Sequence, residues 1–116
     1  MGYLSKIEIY AMSNLVYADT GIKGVVLWLS AHWITGEFDV IHGAKIKVVL
    51  GSKITAKGLK NSTTVTLTDP PKVIGELPAK IEKKVIDFVN INRSVLLKYW
   101  KNKISTREML ENIESL

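Results

Sequence analysis

The chain has 116 residues, of which 47% are hydrophobic and 23% charged, so it can bury one hydrophobic core unaided and is too apolar for the disordered class. It contains no cysteine, which excludes disulfides, thiolate nucleophiles and cysteine-bearing zinc sites. A formal net charge of +5 and a pI near 9.5 favour a negatively charged partner, a statement about association and not about chemistry.

The opening MGYLSKIEIY lacks the charged start, apolar run and small-residue cleavage site of a signal peptide, and Lys6 stands where myristoylation needs Ser or Thr. A cytoplasmic setting is expected. Residues 5–12 (SKIEIYAM) set Ile7, Ile9 and Ala11 against Lys6, Glu8 and Tyr10, the alternation of a first strand. Apolar runs at 15–18 and 22–30 flank Asp19-Thr20-Gly21, which predicts a hairpin turning on a residue able to take positive φ. The most apolar window, 24–34 (GVVLWLSAHWI), is far shorter than the roughly 20 residues that span a bilayer, so no membrane partner is expected.

After a turn at Thr35-Gly36-Glu37, residues 38–41 and 44–50 read as short strands parted at His42-Gly43. Within 44–48, Lys45 and Lys47 alternate with Ala44, Ile46 and Val48, the pattern of a half-exposed strand. Residues 51–61, with Gly51 and Gly58, read as a loop. Residues 63–68 (TTVTLT) resume alternation with Val65 and Leu67 inward, and Asp69-Pro70-Pro71 ends the strand because proline has no amide hydrogen to donate.

The period then changes. Pro78 suits the first turn of a helix, and Ile81, Val85, Phe88, Val89, Leu96 and Trp100 form a helical stripe over 78–101. Asn92 lies on that stripe, which requires either a bend at 90–93 or a buried amide supplied with hydrogen-bond partners. Ser105 and Glu108 have capping-box spacing ahead of Met109, Leu110, Ile113 and Leu116, a short second helix within 105–116. No repeat or linker divides residues 1–116, so one domain is expected. The fold expected is α+β: an antiparallel meander of about five strands over 5–68, covered on one face by the 78–101 helix, plus a short tail helix.

Gly75-Glu76-Leu77-Pro78, then a helix carrying Val85, Phe88, Asn92, Leu96, Leu97 and Trp100, then a polar connection and 110–116 (LENIESL), resembles the C-terminal part of the bacterial domain of unknown function 4160. That family shows a glycine, a gap and Leu-Pro, then a helix with an aromatic, a His or Asn, a Leu-Leu pair and a Trp, and often a Lys-Ile-x-Pro-Leu-like tail. The resemblance covers about residues 73–116. It departs at Asn112-Ile113-Glu114-Ser115-Leu116, which has no proline. It departs further in the middle, where only Ala31-His32-Trp33 and His42 stand against the family's Pro-His-Phe-His-like hallmark. The resemblance implies a small α+β domain of mobile or paired bacterial genes, akin to toxin–antitoxin neighbours, and lends no reaction.

For function, the lysines come first. From residue 43 to 68, Lys45, Lys47, Lys53, Lys57 and Lys60 occur without an acid, a set suited to phosphate contacts, with hydroxyls at Ser52, Thr55, Ser62, Thr63 and Thr64 to assist. The segment has no arginine to read bases and no aromatic to stack on them, and lysines on an edge strand also guard against aggregation. His32, His42, Asp39 and Glu37 are the side chains an acid–base or metal site would draw on, but two histidines without a third ligand form no recognised motif. No phosphate-binding glycine pattern and no Gly-x-Ser-x-Gly element occurs. No catalytic residue, metal or cofactor is assigned. Trp28, Trp33 and Trp100 serve as core anchors or, where partly exposed, as interface hot spots.

The resulting expectation is a non-enzymatic binding protein, a regulator or inhibitor from a phage or mobile element that contacts a host protein. An open strand edge offers a route to a homodimer. The alternatives are a nucleic-acid binder using the lysine segment and a toxin-like nuclease drawing on His32, His42, Asp39 and Glu37.

Overall fold

The computed structural model describes residues 12–30, 43–51 and 61–116. Five strands, β1 (Met12–Leu15), β2 (Val25–Ser30), β3 (Lys45–Leu50), β4 (Thr63–Thr66) and β5 (Val73–Ile74), lie in the order β1-β2-β3-β4-β5. Every neighbouring pair is antiparallel. With a helical turn α1 (Tyr17–Thr20), a long helix α2 (Ala79–Trp100) and a short helix α3 (Thr106–Asn112), this is the α+β meander expected from the sequence. Residues 5–11 of the expected first strand (5–12) and the expected strand at 38–41 fall outside the described residues; Met12 is the first residue of β1.

In the sheet, two details differ from expectation. The run at 15–18 is no strand beyond Leu15, because Asp19-Thr20-Gly21 closes a turn of helix and not a tight hairpin. The Asp19 carboxylate accepts from the Val16 N–H (3.0 Å) and the Thr20 hydroxyl donates back to the Val16 carbonyl (3.3 Å), while Gly21 ends the turn at φ +77°, the left-handed cap that glycine takes without strain. Strand β5 also lies beyond residue 68. After Asp69-Pro70-Pro71 the chain returns, with Lys72 N–H bonding the Thr66 hydroxyl (2.8 Å) and Thr66 N–H bonding the Lys72 carbonyl (2.9 Å).

Register separates the two faces of the sheet. Leu15 is opposite Leu27, Leu27 opposite Val48, and Ile46 opposite Val65; these side chains join α2 in one core with Val25, Leu29, Val85, Phe88, Val89, Leu96, Tyr99 and Met109. The other face carries a row that crosses all five strands: Asn14, Trp28, Lys47, Thr64 and Ile74. Beside it Val26 and Val49 pair directly and are 1% and 2% exposed. They stand apart from the main core, so the face turned away from α2 is itself buried at its centre.

Helix α2 begins just after Pro78, which occupies the capping position with φ −54°, and stops where Asn102 takes φ +59°. There the Lys103 N–H returns to the Lys98 carbonyl (2.8 Å) and the Lys101 N–H to the Leu97 carbonyl (2.9 Å), a left-handed C-terminal cap in which asparagine substitutes for glycine. The buried stripe runs Val85, Phe88, Val89, Asn92, Leu96, Tyr99. Tyr99 therefore takes the place expected of Trp100. Four turns of 3.6 residues on from Val85 fall between those two positions, and the Tyr99 hydroxyl meets the Thr106 hydroxyl at 3.0 Å, which joins α2 to α3. Trp100 is only half-buried.

The helix does not bend to expel Asn92. The amide is buried and fully used: Nδ2 donates to the Phe88 carbonyl (3.0 Å) and to the Glu114 carbonyl (2.8 Å), and Oδ1 accepts from the Glu114 N–H (2.7 Å). Helix α3 starts with the expected capping box, in which Ser105 Oγ accepts from Glu108 N–H (3.1 Å) and the Glu108 carboxylate accepts from Ser105 N–H (3.2 Å).

Burial ranks the helix anchors. Truncating the fully buried Phe88 to alanine is expected to cost about 3–5 kcal/mol, and Trp100→Ala less than half as much. Urea unfolding of the two variants tests this order.

Candidate functional site

The two described lysines of the segment, Lys45 and Lys47, differ in their surroundings. Lys45 and Lys47 share the face of β3 turned from α2, but the Lys45 Nζ is closed off from solvent. Burial, and then the neighbouring Lys47 charge, hold its pKa below the usual 10.5. Lys47 is half-buried and lies directly opposite Trp28 on β2. The aromatic absent from the lysine segment itself is thus supplied by the adjacent strand, a juxtaposition that sequence spacing conceals and strand register creates. Lys53, Lys57 and Lys60 lie outside the described residues, as do Trp33, His32, His42, Asp39 and Glu37.

Of the hydroxyls expected to help with phosphate, Thr63 is engaged elsewhere and Thr64 is buried. Thr63 is 6% exposed and donates to the Glu76 carbonyl (2.8 Å); Thr64 is buried in the cross-sheet row. Thr66 and Thr68 bond one another (2.7 Å), and Thr68 donates to the Pro70 carbonyl (2.8 Å). Arg93 on α2 secures the same turn, donating to the Thr68 carbonyl (3.1 Å) and lying 3.9 Å from the Asp69 carboxylate. These threonines build the β4–β5 turn. Ser52 and Thr55 fall outside the described residues.

A second assembly, which the sequence did not single out as a site, forms where α1, α2 and residues 113–116 meet. Beyond its two bonds to Asn92 through Glu114, the tail is held by Leu116 N–H donating to the Thr20 carbonyl (2.8 Å). Gly21 permits this approach, since a Cβ there would meet the Leu116 carbonyl oxygen at 2.5 Å. Ile113 packs against the core. Around these contacts Val16, Tyr17, Ile91 and Leu116 are all exposed, and the Lys23 ammonium stands 5.8 Å from the centre of the Tyr17 ring. The signal available in the sequence was Asn92 itself, a polar residue on an apolar stripe that required partners.

No family model, no curated protein and no solved structure matches the chain. Among the described residues no group of three His, Asp or Glu is placed to hold a metal ion, and no helix is long and apolar enough to cross a membrane.

The enclosed Lys45 amine gives a pH signature. Because its folded pKa lies below the unfolded 10.5, the unfolded chain binds more protons between the two values and stability rises with pH through that window. Lys45→Met removes this term, so its melting temperature relative to wild type is expected to fall as pH rises from neutral towards 10.5. A difference independent of pH would contradict the desolvated amine.

Proposed function

We propose that this is a non-enzymatic protein-binding domain, a regulator or inhibitor acting by contact with another protein, as expected for a phage or mobile-element product. The observation that carries this reading is the contrast between its surfaces. The described part of the lysine segment buries the Lys45 Nζ and Thr63, whereas Val16, Tyr17, Ile91 and Leu116 are exposed apolar side chains on segments that the Leu116–Thr20 and Asn92–Glu114 bonds bring together. Contiguous exposed apolar area rimmed by polar groups marks protein contact, and an aromatic such as Tyr17 is a common anchor of it. The exposed residues Leu50, Ile74 and Leu110 are spread over β3, β5 and α3 and suggest no comparable surface. Strands β1 and β5 are outermost in the described order. The two-residue β5, next to Gly75 at φ +118°, offers little ladder, which leaves β1 as the better edge for a homodimer.

The pairing of Lys47 with Trp28 favours a second reading, in which the sheet face contacts single-stranded nucleic acid through one stacking ring and one phosphate contact.

The two readings separate by variant. Capture of a specific host protein by the wild-type chain is expected to be lost in Tyr17→Glu and kept in Lys47→Glu. Oligonucleotide binding that falls steeply with salt and is lost in Lys47→Glu, with no captured protein sensitive to Tyr17→Glu, would overturn the first reading in favour of the second.

A further inference from the structure

We infer that the groove holding residues 113–116 is a recognition site for an extended peptide, occupied in cis by the chain's own tail and open to a partner's segment when the tail withdraws. The inference deepens the protein-binding reading by naming what the partner presents.

The groove reads backbone. Asn92 takes both the N–H and the C=O of Glu114, and the Thr20 carbonyl takes the N–H of Leu116. Neither Glu114 nor Leu116 is recognised through its side-chain polar atoms in these bonds, and both are exposed. An extended strand from another chain satisfies the same three groups, the principle of strand addition. Side-chain choice enters at one position, Ile113, which is half-buried against the core. The occupant is therefore an extended segment with an aliphatic residue immediately before the residue that pairs with Asn92.

The tail is built to leave. Helix α3 is anchored by Met109, which is 0% exposed, and by the Tyr99–Thr106 contact, whereas residues 114–116 bury no large side chain and Leu116 is 46% exposed. Segments held by a few backbone bonds with little burial open at low free energy. With residues 113–116 in place Asn92 is 1% exposed; their withdrawal uncovers its amide, and an incoming strand that offers the same N–H and C=O restores both bonds. The exposed Val16, Tyr17 and Ile91, which lie close in sequence to Thr20 and Asn92, give an incoming segment further apolar area.

The test uses the full chain carrying Glu114→Pro, which removes the N–H that Asn92 accepts and frees the tail, together with a fluorescent peptide of residues 111–116 (ENIESL). Saturable binding is expected to Glu114→Pro, weaker by roughly tenfold or more to wild type, whose own tail competes at high effective concentration, and absent from Asn92→Leu/Glu114→Pro. No binding to a Glu114→Pro chain that retains its circular dichroism, or equal binding when Asn92 is leucine, would overturn the inference. Hydrogen exchange on the wild type gives a reading that needs no variant. The Glu114 and Leu116 amides should exchange by an opening that leaves the Met109 amide protected; exchange of all three only on global unfolding would also overturn it. Neither measurement involves a host partner, so failure here and failure to capture a host protein are separate results.

Discussion

A single buried amide governs how the C-terminal third closes on the sheet. Asn92 sits in the middle of the apolar stripe of α2, where a polar group without partners is costly. The fold supplies those partners from two directions. Phe88 gives its carbonyl from the preceding turn of the helix, and Glu114 gives both backbone groups across 22 residues of chain. To deliver Glu114, α2 must stop at Asn102, α3 must reverse, and residues 113–116 must run back along the helix. The final contact, Leu116 to Thr20, then reaches the β1–β2 connection, and Gly21 is the residue that lets the two backbones approach. One amide thereby links helix layer, tail and sheet.

The same logic of satisfaction reshapes the basic segment. A row of lysines and threonines in sequence suggests a surface prepared for phosphate, yet among the described residues the antiparallel register sets Lys45, Lys47, Thr64 and Thr66 on a face whose centre is buried at Val26 and Val49, and Thr63 on the opposite face. The Lys45 Nζ is drawn out of solvent, Thr66 and Thr68 are used in the β4–β5 turn, Thr63 holds Glu76, and Lys47 remains beside Trp28. For Lys45, charge counted along the chain overstates what solvent meets.

Much of the fold was legible because local rules and packing agreed. The alternation in 44–48 and 63–68 marked β3 and β4, the helical stripe and Pro78 marked α2, and the Ser105–Glu108 box marked α3. The misreadings have local causes. Asp19-Thr20-Gly21 suits a hairpin turn and a helix cap equally, and the hydrogen bonds to Val16 decide for the helix. Strand β5 is too short for alternation to register, and it exists because Lys72 pairs with Thr66. Tyr99 and Trp100 are both apolar enough for the stripe, and the partner hydroxyl of Thr106 selects the first. Of the candidate site, Asn92 was visible as a demand for partners, while the identity of those partners depended on a backbone reversal that no side-chain pattern records.

The Asn92 amide and the Glu114 backbone act as one unit, and a double-mutant cycle measures that directly. Urea unfolding of Asn92→Ala, of Glu114→Pro and of the two combined should show each single change costing about 1–3 kcal/mol and the double variant costing little more than Asn92→Ala alone. Losses that simply add would mean that the two groups are energetically independent and would contradict the account.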